Sequence, residues 1–474
     1  MSGAPPGWEL VVGLEVHVEL GTATKLFCGC PNQFGDEPNT NVCPVCLGLP
    51  GSLPVLNRRA VELAMCIGLA LHCEVRPSQF HRKNYFYPDM PKDYQVSQYD
   101  EPINVDGYLD LADGHRVGIE RAHMEEDTGK TTHMGGGGRI HDADFSLVDY
   151  NRAGVPLVEI VSRPDIRTVD QARSYVGELR AILLAVEASD AKMEEGSMRV
   201  DANVSLNRPG DPWGTRCEIK NLNSVRSLGR AIEFEARRQA EVLEAGGSVA
   251  QETRHWNEED GRTHSMRSKE EAFDYRYFPE PDLVRLDPSA GWIEQVGSAL
   301  PTLPAERRAA LAEACGVSAG DVALVVERDL DSLVAGAVAE GADPRRALTH
   351  AEHNLPVESA TDLPFGAEGF AALVKMETAG DLTATQAKQV LAEMAVSGGS
   401  PAEIAAAKGF EAMGTGELES VVDQIIADHP DEWSRFCDGE DKLQGLFVGA
   451  VMKATGGNAD GGEVTALLRA RRGR

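Results

Sequence analysis

Residues 13 to 20 read Gly-Leu-Glu-Val-His-Val-Glu-Leu, a strict alternation of apolar and ionisable side chains. Successive side chains of a strand point to opposite faces, so Leu14, Val16, Val18 and Leu20 take one side and Glu15, His17 and Glu19 the other. Burying two carboxylates and an imidazole on one face calls for a counter-charge, which a bound cation supplies. Taken alone, the stretch also suits a half-exposed edge strand, but the pattern recurs. From Arg199 to Leu206 the apolar residues again take one side, leaving Arg199, Asp201, Asn203 and Ser205 on the other. Cys217-Glu218-Ile219-Lys220 sets Glu218 beside Lys220, and His123-Met124-Glu125-Glu126-Asp127 adds further carboxylates. Such faces, converging on one side of an antiparallel sheet, would make an oxygen-rich site for Mg²⁺ and a polyphosphate.

At 474 residues the chain is long enough for two or three domains with a sizeable core. Its formal charge of −29 excludes broad, sequence-blind nucleic-acid binding, which draws on lysine and arginine against phosphates. Local contacts stay open, and the basic cluster Arg469, Arg471, Arg472 and Arg474 is one place for them; a solvated helix end is the simpler reading. The start, Met1-Ser2-Gly3-Ala4-Pro5-Pro6, has neither the basic region nor the apolar core of an export signal, and no apolar run suits a membrane span. A cytoplasmic protein with reduced or metal-bound cysteines is expected, and the nine cysteines agree.

The organisation reads as α+β followed by α. Up to about residue 292 the text is strand-rich, with helices expected at about 58–71, 169–187 and 225–244. Beyond Pro301-Thr302-Leu303-Pro304 alanine-rich segments of helical period take over, such as 305–315 and 321–339. A break at Ser397-Gly398-Gly399-Ser400-Pro401 starts a terminal bundle. The expected parts are therefore 1–292, 293–400 and 401–474. Gly135-Gly136-Gly137-Gly138 reads as a flexible loop, because it lacks the Lys-Ser or Lys-Thr of a phosphate-cradling turn.

Cys28, Cys30, Cys43 and Cys46 form C-x-C followed by C-x-x-C, a spacing that closes a tetrahedral, structural Zn²⁺ site. The competing reading is four buried thiols. Arg82-Lys83-Asn84-Tyr85-Phe86-Tyr87-Pro88-Asp89 pairs cations with aromatics, a combination that holds a phosphate or stacks a base, or merely anchors a loop. The sequence contains no Walker motif and no amidase-like serine- and glycine-rich run, so any ATP would be held through carboxylate-bound Mg²⁺, and any ammonia would come from another chain.

Together these segments, with Lys192-Met193-Glu194-Glu195-Gly196-Ser197-Met198, Asn221-Leu222-Asn223-Ser224 and Asp274-Tyr275-Arg276-Tyr277-Phe278-Pro279-Glu280-Pro281-Asp282, resemble the B subunits of bacterial aspartyl/glutamyl-tRNA(Asn/Gln) amidotransferases over essentially the whole chain. The resemblance implies an N-terminal cradle similar to glutamine synthetase and guanidino kinases, followed by helical and tail domains that hold tRNA. It implies ATP- and Mg²⁺-dependent phosphorylation of the side-chain carboxylate of Glu-tRNA(Gln) or Asp-tRNA(Asn), then amidation by ammonia from a glutaminase A subunit, with a small C subunit joining the two. By the same resemblance Glu15, His17, Glu126 and Glu218 sit at the metal, with Asp201 close by; Glu126 is preferred to Glu125 on the family motif alone. Glu125, Asn203 and Lys220 would face the nucleotide, and Lys83 would neutralise phosphate or guide a substrate. The loop around Gly135 to His141 is longer than in the family, and Asp460-Gly461-Gly462 stands where a proline is common. A free-standing ligase for a small carboxylate is the alternative; it has no need of the helical residues 301 to 474.

Overall fold

The computed structural model describes residues 4–135, 143–266, 275–357, 360, 363–410, 415–455, 459 and 461–472. Most of the glycine run, Asp274, most of the loop before the last helix and Arg474 lie outside these residues. The chain divides into two compact units, 1–303 and 304–474.

The first unit is built on one large sheet. Its strands are β1 (Glu9–Glu19), β2 (Glu74–Val75), β3 (Gln79–Asn84), β4 (Tyr94–Glu101), β5 (Asn104–Asp110) and β6 (Arg116–Glu126). After the separate hairpin β7 (Lys130–Met134) and β8 (Phe145–Asp149) come β9 (Pro156–Ser162), β10 (Met198–Asn207), β11 (Cys217–Leu222), β12 (Thr253–Asn257), β13 (Arg262–Ser265) and β14 (Phe278–Pro279). The order across the sheet is β13-β12-β11-β10-β1-β9-β6-β4-β3-β14, with β5 on β6 and β2 on β5. The sheet is mixed where an antiparallel one is expected. β11 and β12 run parallel because a whole helix, Val225–Glu244, connects them, the crossover a parallel pair requires.

Helices α1 (Arg58–Ala70), α2 (Val169–Ala185) and α3 (Val225–Glu244) fall where the sequence places them. Each starts at a capping side chain: Asn57 accepts from the Arg59 and Ala60 amides, Thr168 from Gln171, and Ser224 from Ser227. Their apolar stripes and the apolar sheet face share one core, in which Leu14, Val16 and Val18 are fully buried beside Ala64, Leu179 and Ile232. α4 (Ala290–Ser298) also belongs here. Val296 joins this core and Ile293, Leu300 and Leu303 pack against it, which moves the first boundary from the expected 292 to 303.

The second unit is helical from Pro304 to Arg472 among the described residues. The helix expected over 321–339 is two, at Ala323–Glu327 and Asp331–Ala339, because Asp329 turns the chain with φ 52°. Two cores form, one from Leu311 to Ala405 and one from Leu418 to Leu468. The helix Pro401–Ala407 gives Ile404 and Ala405 to the former, so the break at Gly398 precedes the last helix of that core instead of opening the tail.

Candidate active site

The face of the sheet opposite the helices carries the ionisable residues, and strand register brings them into rungs. Arg199 of β10, His17 of β1, Glu159 of β9 and His123 of β6 pair across four neighbouring strands. The flanking rungs hold Asp201 opposite Glu15, and Glu19 and Glu125 on either side of Leu157. Ligand atoms of His17, Glu125 and Glu159 lie within 4.8 Å of one another. His17 Nδ1 is 3.4 Å from Glu125 Oε1 and its Nε2 is 4.0 Å from Asp201 Oδ2. Glu15 accepts from Asn203 Nδ2 at 2.9 Å. Lys220 Nζ donates to Asp201 Oδ2 at 2.6 Å and lies 3.0 Å from Glu218, which also accepts from Thr253 Oγ1 at 2.7 Å.

The electrostatics are those of crowded carboxylates. Burial, then the charges of Glu159 and Glu218, push the Glu15 carboxyl above its ordinary range. Glu159 is raised by burial and by Glu125. Burial disfavours charge on His17, but the Glu125 hydrogen bond and the charges of Glu159, Glu125 and Asp201 outweigh it and lift His17 to about 9. Glu125 is held down by His17, against burial. Such a cluster is suited to a divalent cation, which His17, Glu125 and Glu159 are placed to hold.

Glu126 does not join this face. Strand alternation turns it to the other side of β6, where it is buried against Lys92 Nζ at 2.5 and 2.7 Å and accepts from the Val96 amide at 2.9 Å. The pleat thus puts Glu125, and not the Glu126 preferred on the family motif, on the face that carries His17 and Glu159. Lys83 Nζ lies 4.9 Å from the Tyr275 ring centre, and with His17, Glu125, Asp201 and Arg199 it lines a cleft of about 330 Å³. Asp127 closes one wall, 3.0 Å from Arg199 Nη2 and 3.4 Å from Arg152 Nε. Glu19 is lifted to about 7 by burial and then by Asp127. Glu159, Arg152 and the burial of Asp127 are additions to the site read from sequence.

Residues 10–294 match the family described as the GatB/GatE catalytic domain, and residues 350–471 match the GatB domain. The chain is 51% identical to the B subunit of the aspartyl/glutamyl-tRNA(Asn/Gln) amidotransferase of Salinispora tropica, over 98% of its own length and 97% of that protein. The counterpart in Salinispora arenicola is 50% identical over 99% and 97%, and that in Streptomyces avermitilis 48% over 97% and 95%. The chain belongs to this family of amidotransferase B subunits.

This member of the GatB family also carries a built cysteine cluster. Sulfurs of Cys28, Cys30, Cys43 and Cys46 all lie within 4.8 Å of one another, Cys46 Sγ accepts from the Cys43 amide at 3.2 Å, and the donor set fits a metal such as zinc. A hydrogen bond from Cys28, then the Cys43 amide and to a lesser degree the charge of Lys25, lower Cys46 to about 5 against burial. The tail arginines are committed within the chain: Arg471 to Asp423 and Glu419, Arg472 to Asp441, and Arg469 to Gln444. No helix among the described residues is long and apolar enough to cross a membrane.

Proposed function

We propose that the chain activates and amidates the side-chain carboxylate of Glu-tRNA(Gln), Asp-tRNA(Asn) or both, working with a glutaminase A subunit and a small C subunit. The observation that carries this reading is the rung Arg199, His17, Glu159 and His123 with Glu125 and Asp201 beside it, of which Arg199, His17, Glu125 and Asp201 line one cleft with Lys83 and Arg152. A free carboxylate is a poor acyl donor because oxide is a bad leaving group. Transfer of the γ-phosphoryl group of ATP to its oxygen, with ADP departing, makes phosphate the leaving group. Ammonia nitrogen then attacks the acyl carbon, the C–O bond breaks with its electron pair going to phosphate, and loss of a proton from nitrogen gives the amide.

Mg²⁺ bound at the acidic face would neutralise charge on the transferred phosphoryl group. Glu15, Glu125, Glu159 and Glu218 are the oxygens we assign to it, with His17 held against Glu125. Asn203 orients Glu15, and Lys220 keeps Asp201 and Glu218 aligned. Lys83, Arg199 and Arg152 supply positive charge at the cleft, where incoming carboxylate and phosphate are both anions. A likeness of the first unit to the glutamine synthetase cradle fits this chemistry and is part of the proposal. Residues 304–472 are assigned to the tRNA body, and because Arg471 and Arg472 already have carboxylate partners, that contact is expected elsewhere on the unit. The four cysteines are assigned a structural zinc.

The test is amide formation on Glu-tRNA(Gln) and Asp-tRNA(Asn), each assayed separately with ATP, Mg²⁺ and ammonium by the chain co-purified with its A and C partners. Ammonium bypasses the glutaminase. Glu15→Gln is expected to lower ATP-dependent amide formation at least about 100-fold while the partner still hydrolyses glutamine. Undiminished amidation by that variant, or ATP turnover on free amino acids alone, overturns the reading.

A further inference from the structure

Lys25 is among the most completely buried side chains of the protein, with none of its surface exposed. Its Nζ donates to the Tyr150 carbonyl at 3.1 Å. An ammonium can donate three hydrogen bonds, and a buried one needs nearby negative charge. The negative groups at hand are the Glu126 carboxylate, already paired with Lys92 Nζ at 2.5 and 2.7 Å, and the four cysteines once they hold a metal as thiolates. The Lys25 amide donates to the Cys30 carbonyl at 3.0 Å, and a Cβ placed on Gly154 would lie 3.6 Å from Cys46 Cβ, 3.7 Å from Lys25 Cδ and 3.9 Å from Glu126 Oε2. Four thiolates around one Zn²⁺ leave a net charge of about −2, which a buried cation offsets.

The segment that Lys25 holds is also the one that frames the acidic cleft. The Leu26 amide donates to Gly154 O at 2.9 Å, the Gly154 amide to Asp127 O at 2.9 Å, and the Asp127 amide to Val155 O at 2.8 Å. Arg152 reaches from the same segment to the carbonyls of Thr128 and Gly129, both at 3.0 Å, and sits beside the Asp127 carboxylate. Gly154, with φ +84°, lets the backbone pass between the cysteine loop and Asp127.

We propose that Lys25 is a positioning residue that balances a metal tetrathiolate at Cys28, Cys30, Cys43 and Cys46 and, through the Tyr150 carbonyl, ties metal occupancy to the placement of residues 150–155 and Asp127. This requires that the four thiols hold a metal; it does not require the phosphorylation chemistry proposed above. Lys25→Met keeps the length of the side chain and removes its charge.

In the full chain, titrated with Zn²⁺ against a competing chelator, Lys25→Met is expected to bind zinc at least about 10-fold more weakly than the wild type, the usual scale for losing a partner of the ligand shell. Its melting temperature should fall with zinc present and change little in the metal-free protein. A residue serving only to fill the core would shift both melts alike and leave zinc affinity within twofold, and that result overturns the proposal. Should the variant fail to fold, hydrogen exchange on the wild type decides: zinc withdrawal should speed exchange at Leu26, Gly154 and Asp127 as well as within residues 28–46. Faster exchange confined to 28–46, or a wild-type chain that takes up no zinc, overturns it.

Discussion

Glu159 is the lone charge in Leu157-Val158-Glu159-Ile160-Val161, and the structure sets it between His17 and His123, with His123 Nε2 3.5 Å away. Its carboxyl is held above the ordinary range by burial and by Glu125, so the folded protein resists ionising it. Stability from such a group grows as pH falls through its raised value and is lost above it. Glu159→Gln, which mimics the protonated form, should therefore raise the melting temperature at neutral pH in the presence of EDTA. The same variant should lose at least about 100-fold of its amidation rate. Parallel melts and transamidation assays check both, and a variant that is less stable without metal contradicts the account. The residue shows why a site is only partly legible in sequence. Glu15, His17, Asp201, Glu218 and Lys220 declare themselves because they alternate with apolar neighbours, whereas Glu159 breaks an apolar run and becomes meaningful only once β9 is known to pair with β1 and β6. Glu125 and Glu126 are adjacent, so the choice between them depends on the side of β6 that each takes, which is fixed by partners such as Lys92 far away in the chain.

At the scale of elements, the second half of the sheet is held by one carboxylate of α3. Glu235 is fully buried, accepts from Arg238 at 2.6 and 3.0 Å, from Gln239 at 2.9 Å and from Thr263 at 3.0 Å, and lies 3.4 Å from Arg254. It thereby fastens the crossover helix to β12 and β13. Burial opposes its ionisation, but the Arg238 and Gln239 hydrogen bonds win and hold the carboxyl below its ordinary 4.5. The stabilisation is present above that value and fades as pH drops through the lowered one. Glu235→Gln should cost about 3–5 kcal/mol at neutral pH, as for other broken buried ion pairs, and the gap should narrow below about pH 4.5. Denaturant unfolding across that range measures it, and a gap independent of pH would count against the assignment. The helix α3 itself is readable in sequence, through its cap and its apolar stripe. The parallel pairing it enforces is not, because β12 and β13 are short and carry Arg254, His255, Arg262 and His264 among few apolar residues.

For the whole molecule, the boundary at Leu303 has a measurable meaning. A chain ended at 303 keeps Ile293, Val296, Leu300 and Leu303 on the core of the first unit, and one ended at 292 loses them. The shorter chain should be less stable by at least about 3 kcal/mol, the worth of one or two buried aliphatic side chains, and comparison of the two by denaturant unfolding decides it. Equal stability would restore the boundary at 292. The order in which the sheet is laid down has a further consequence. β1 leaves the ribosome first, yet its neighbours are β9 and β10. At 5–20 residues per second the nascent strand waits roughly 7 to 27 s for Pro156, the start of β9, to be made. Until then Leu14, Val16 and Val18 have neither neighbour of β1 to pair with, and the strand stays open to association with other chains. Because Glu15 and His17 come from β1 and Glu125 and Glu159 from β6 and β9, the acidic face begins to assemble only when β9 is made, and Asp201 and Glu218 join it later with β10 and β11.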